Sequence, residues 1–123
     1  MIVVATSAAN HCLYCVVAHG AILRIYRKDP LIADHLATNW RKAALSTREQ
    51  AMIEFAVKVA TESHALTDRD YDALTEQGFS LEDAWDIGAI AAFFALSNRL
   101  ANFTGMMPNP EFHLLGRIPR PAR

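Results

Sequence analysis

Ser46-Thr47-Arg48-Glu49-Gln50-Ala51-Met52-Ile53-Glu54-Phe55-Ala56-Val57-Lys58-Val59-Ala60 is the stretch whose reading decides the fold class. Ser46 with Glu49 three positions later fits a capping box, in which each side chain satisfies the other's free backbone N–H at a helix start. Met52, Phe55, Ala56, Val59 and Ala60 then recur at the spacing of one helical face, to about Ser63. The same period continues in both directions, and no run alternates apolar and polar residues long enough for a strand. The chain is therefore read as all-α.

Upstream, residues 2 to 9 read as a helix that begins without a capping residue. Asn10 is expected to cap a second helix with Cys12, Cys15, Val16, His19, Leu23 and Tyr26 along one stripe, ending near Arg27-Lys28, where cations suit the carbonyl end. Asp29-Pro30 opens a short helix through about Asn39. Downstream, Thr67 with Asp70 starts a helix that Gly78 stops, and Ser80 with Asp83 starts the last long one, which Gly105 stops. Trp85, Ala89, Ala92, Phe93, Leu96, Leu100 and Phe103 are expected to form its packed stripe. Residues 1–105 thus make one helical domain. Residues 106–123, with Pro108, Pro110, Pro119 and Pro121 beside Arg117, Arg120 and Arg123, cannot form a helix and read as an extended surface arm or a partner-wrapping one.

At 123 residues the chain is long enough for one core. Twelve basic and 13 acidic side chains are interspersed for a formal net charge of -1, which leaves no basic footprint for nucleic acid or an anionic membrane. The apolar start lacks a basic leader, and His11, Cys12 and Arg24 interrupt any span of bilayer length. With no secretory signal, the cytoplasm is the expected compartment.

Cys12 and Cys15 are the only cysteines, and a bond between them would close too small a loop to add much stability. Their spacing puts the sulfurs within reach on one helical turn, and His19 lies one turn beyond Cys15. A helix start offers unpaired N–H groups and a positive dipole end that favour a thiolate, while His19 can take the proton. The second thiol can then attack a sulfenic acid formed on the first, closing a disulfide. Zinc competes for Cys12, Cys15 and His19, although a structural site wants four ligands and there is no second cysteine pair. Two small buried hydrophobes are the bland alternative. Val16 stands where c-type haem attachment needs histidine, and a thioredoxin-like fold needs strands. No metal and no cofactor is expected. His35, His64 and His113 read as solvent-facing.

Ser7-Ala8-Ala9-Asn10-His11-Cys12-Leu13-Tyr14-Cys15-Val16-Val17-Ala18-His19-Gly20 resembles the AhpD-like superfamily, which includes carboxymuconolactone decarboxylases, and within it the peroxidase-related branch. The likeness extends through the Ser46–Ala60 helix and through Ala91-Ala92-Phe93-Phe94 to Asn98-Arg99-Leu100-Ala101. It implies an AhpD-like helical bundle, homo-oligomers, and thiol-dependent reduction of a hydroperoxide, with an external thiol or dithiol as reductant. Cys15 would attack the peroxide, Cys12 would resolve, and His19 would relay the proton. The best-studied branch also uses a glutamate on the preceding helix, which would fall immediately upstream of Met1. The chain is accordingly expected to lack an N-terminal segment, or to use Glu49 or Glu54 instead. His11 and Tyr14 flank the thiols as pocket residues, Tyr14 standing where that branch has histidine. A protein disulfide or thiol-transfer partner and a non-enzymatic helical assembly module are the competing functions.

Overall fold

Short polar side chains set where the helices begin. The computed structural model describes residues 1–118 and contains α1 (Ile2–Ala9), α2 (Leu13–Arg27), α3 (Ile32–Asn39), α4 (Thr47–Glu62), α5 (Asp68–Glu76) and α6 (Leu81–Phe103). Single 3₁₀ turns lie at Trp40–Lys42, Ser63–Ala65 and Pro110–His113, and there is no strand among the described residues. Ser46 and Ser80 cap α4 and α6 with Glu49 and Asp83 reaching back, as the sequence predicts. Asp70 accepts from the Thr67 backbone N–H at 2.7 Å and from Lys58 Nζ at 2.8 Å, so the residue that starts α5 also ties it to α4.

Two helix starts differ from expectation. Asn10 does not cap α2; Cys12 does, its sulfur accepting from the Cys15 N–H. Asn10 instead ends α1, its backbone N–H on Thr6 O at 3.1 Å. The third helix begins at Ile32 rather than Pro30, because Asp29 Oδ1 accepts from the Leu31 N–H and completes a turn first.

The eight-residue α1 is the centre of the bundle, packing against α2, α3, α4 and α6. On one side Val4 joins Leu23, Ile32, Ala33 and Leu36; on the other, Phe55, Ala56, Leu74, Ala84, Ile87 and Ala91 unite α4, α5 and α6. Met52, Phe55, Ala56, Val59 and Ala60 all point inward or toward the seam, joined by the fully buried Ile53.

The expected stripe of α6 is on the wrong face. Trp85, Phe93, Leu96, Leu100 and Phe103 are exposed, Trp85 by 76% and Phe103 by 77%, and Ala89 and Ala92 lie outside with them. The buried face is Ala84, Ile87, Ala91, Asn98 and Ala101. Small side chains let α6 lie close against α1 and α4, so the large ones are turned outward.

Beyond Gly105 the chain folds back rather than extending away. It makes one 3₁₀ turn at Pro110–His113 and is held against α2 by Arg24, whose Nε donates to Leu115 O and whose Nη2 donates to Phe112 O, both at 2.8 Å. Gly116, at φ 76°, passes so close to α2 that a Cβ there would stand 2.8 Å from Arg24 Cβ. Pro119, Arg120, Pro121 and Arg123 lie outside the described residues. No helix among the described residues is long and apolar enough to cross a membrane.

Candidate active site

Three residues, Asn10 to Cys12, carry the chain from α1 into α2. His11 takes a left-handed backbone at φ 55°, and the Cys12 N–H donates to Ser7 O at 2.9 Å, which swings the Cys12 side chain to the mouth of α2. There its sulfur takes the N–H of Cys15 at 3.3 Å, one of the donors left free at any helix start. Both cysteines are free thiols and each is only 1% exposed, packed with Ala101 of α6 and flanked by the half-buried Tyr14.

Burial pushes the Cys12 thiol above its ordinary range, and its hydrogen bond with the Cys15 thiol adds to this. The Cys15 N–H and the Asn98 side chain act the other way, since each donates to a thiolate. Loss of hydration wins at this sulfur, although it sits where a helix dipole alone would favour the anion.

His19 lies one turn beyond Cys15, half-buried, with its ring edge-on to Phe94 at 5.0 Å between centroids. No hydrogen bond joins the imidazole to either sulfur. Burial lowers its pKa below the ordinary 6.5, so the ring is neutral and able to accept a proton near pH 7. The stability consequence has a definite sign. As pH falls below 6.5 the unfolded chain binds a proton that folded His19 resists, so the folded state weakens; above 6.5 the effect vanishes. His19→Asn is therefore expected to flatten the fall in the urea midpoint between about pH 7 and 5.5. An unchanged slope would show that His19 titrates normally.

The remaining residues singled out from sequence separate from the thiols. His11 is exposed on the connecting turn. Glu49 accepts from the Ser46 N–H at 2.9 Å and pairs with Arg27 at the far end of α2 at 2.8 Å, contacts that hold its carboxyl below the usual range. Glu54 is exposed and lies 3.7 Å from Arg41. His35, His64 and His113 are exposed as expected. Among the described residues no three His, Cys, Asp or Glu side chains gather as a metal ligand set.

Sequence reasoning missed Ser7 and Asn98, both fully buried beside Cys12. Nothing in the immediate sequence of Asn98, between Ser97 and Arg99, marks the amide as buried, and its meaning depends on a residue 91 positions away, since Asn98 Nδ2 donates to Ser7 Oγ at 2.8 Å.

Solved structures share this fold. The chain superimposes with a TM-score of 0.94 on the alkylhydroperoxidase AhpD core of an uncharacterized peroxidase-related protein from Ralstonia eutropha JMP134, at 63% identity over 97% of this chain. It superimposes with a TM-score of 0.89 on an uncharacterized peroxidase-related protein from Silicibacter sp. TM1040, at 41% identity over 91% of this chain. It spans 63% and 59% of the lengths of those chains. No protein-family model matches it, and no curated protein does. By fold and by identity the chain is similar to peroxidase-related proteins that carry the alkylhydroperoxidase AhpD core.

Proposed function

We propose that this chain is a thiol-dependent peroxidase of the alkylhydroperoxidase type, cycling between dithiol and disulfide at Cys12 and Cys15 in a reducing cytoplasm. The observation that carries the reading is the pair of buried free thiols on one helical turn, the N–H of Cys15 on the sulfur of Cys12, within a fold shared with peroxidase-related proteins.

Cys15, having passed its proton to His19, attacks the terminal oxygen of a hydroperoxide. The O–O bond breaks, the alkoxide leaves as alcohol with the proton returned by His19, and the Cys15 sulfur, oxidised by two electrons, carries the hydroxyl. Cys12 then attacks that sulfur; the S–O bond breaks, and hydroxide leaves as water with the Cys12 proton. A dithiol reductant restores both thiols with two electrons and two protons. The raised pKa of Cys12 supports its role as the second thiol, because it stays protonated while Cys15 reacts. Glu49, engaged by Ser46 and Arg27, is read as structural rather than as the relay.

The large apolar side chains that α6 turns outward support assembly with further copies of this chain. Native mass spectrometry before and after one equivalent of hydroperoxide tests both readings. The expected result is a multiple of 13.6 kDa, with each subunit losing two hydrogens to a disulfide. Intact thiols after peroxide, with rapid exchange against a small disulfide, would replace the peroxidase by a thiol-transfer protein; a single 13.6 kDa species would remove the assembly.

A further inference from the structure

A fully buried amide on a helix as apolar as α6 requires partners, and those of Asn98 all lead to Cys12. Nδ2 donates to Ser7 Oγ at 2.8 Å and Oδ1 accepts from Asn10 Nδ2 at 3.2 Å. Ser7 also takes the Cys12 backbone N–H on its carbonyl, and Asn102, one turn further along α6, donates to Asn10 O at 3.3 Å. The turn that carries Cys12 is thus fastened to α6 on both sides. Ala101, three residues beyond Asn98, packs against the two cysteines, so the amide lies on the face of α6 that covers the dithiol. The Asn98 side chain lies close enough to Cys12 to favour its thiolate, against the larger effect of burial.

We propose that Asn98 is the positioning residue of the second thiol: it fixes the α1–α2 turn against α6 and offers Cys12 an amide N–H while that sulfur is negatively charged. The inference rests on the reading of Cys12 as the resolving thiol. In that step Cys12 gives up its proton, its sulfur forms a bond to the sulfur of Cys15 sulfenic acid, and the departing hydroxide takes a proton to leave as water. Negative charge is on Cys12 as the step begins, in a place from which water is excluded. A donor held there by two other hydrogen bonds needs no reorganisation when the charge appears.

Asn98→Asp keeps an acceptor for Asn10 and replaces the donor by a carboxylate. With hydroperoxide and a 1,3-dione that traps sulfenic acid, disulfide closure in the two-cysteine protein should slow by about tenfold to a hundredfold, the range for one hydrogen bond to a charged group. Trapped sulfenic acid should rise to match. A second readout needs no peroxide: in Cys15→Ser the remaining Cys12 is alkylated with iodoacetamide across pH. Adding Asn98→Asp should move the midpoint up by about one unit or more, which loosened packing that exposed the thiol would move down. If no variant reacts with hydroperoxide, the peroxidase reading fails and the alkylation curve still decides the role of Asn98. Should Asn98→Asp not fold, Ser7→Ala frees the amide from its anchor and is expected to shift the curve in the same direction. Superimposable curves in the folded variant would overturn the proposal.

Discussion

Cys15→Ser is expected to abolish hydroperoxide consumption, lowering it about a thousandfold or more, whereas Cys12→Ser should permit one turnover and then stop. The asymmetry follows from the two sulfur environments. A serine hydroxyl does not attack peroxide oxygen at neutral pH, and Cys12 cannot replace the lost nucleophile, because its thiol pKa is raised and His19 lies two turns from it rather than one. With Cys12 gone, Cys15 still has His19 one turn away and reaches the sulfenic acid, but nothing nearby resolves it. Intact mass should show one added oxygen in Cys12→Ser, then a second as sulfinic acid under excess peroxide. Wild-type protein should show neither, only the loss of two hydrogens. The outcome that would sink the assignment is its inverse, single turnover in Cys15→Ser and none in Cys12→Ser. The N-cap position of Cys12 would then outweigh its burial.

How much of this could be read from the chain follows from how local each signal is. The capping boxes at Ser46 and Ser80 are complete within four residues, and both helices begin where the sequence says. The helix that should start at Asn10 begins later because Cys12 serves as the cap, a choice made by the Ser7 carbonyl that holds its N–H. The α6 stripe failed for a different reason. That helix is apolar nearly all round, so hydrophobicity does not mark an inner face, and the small residues decide instead how closely it approaches α1. The dithiol was legible from spacing alone. Its polar bracket was not, because Ser7 and Asn98 acquire meaning only when α1 and α6 meet. His19 fell between the two cases: periodicity put it on the face of Cys15, while Phe94, from a distant helix, sets the ring it packs against.

Arg24→Ala should cost about 2–4 kcal/mol and release the segment after Gly105, the larger stability effect among the exposed and buried charges of α2 and α3. Arg24 is 3% exposed, and its guanidinium is bonded to the carbonyls of Phe112 and Leu115 rather than to a carboxylate. Loss of hydration and the nearby Arg117 both disfavour its charge, and only Asp34 offsets them from a distance. Such a cation is tolerated because two charge-assisted bonds are made at once, at about 1.5–3 kcal/mol apiece. Truncation loses both bonds and the packing of the stem, while the carbonyls regain water only if the segment lifts away. The second clasp, Arg117 on Asp34 at 2.7 and 3.0 Å, joins half-exposed partners and is worth about 0–1 kcal/mol, so Asp34→Asn should scarcely move the urea midpoint. Arg24→Met separates the contributions: it keeps an apolar stem and buries no charge, so its loss should be smaller than that of alanine, yet amide exchange at 110–118 should rise in both. Protected amides there in Arg24→Met would mean that the close approach of Gly116 to α2, and not the guanidinium, holds the segment down.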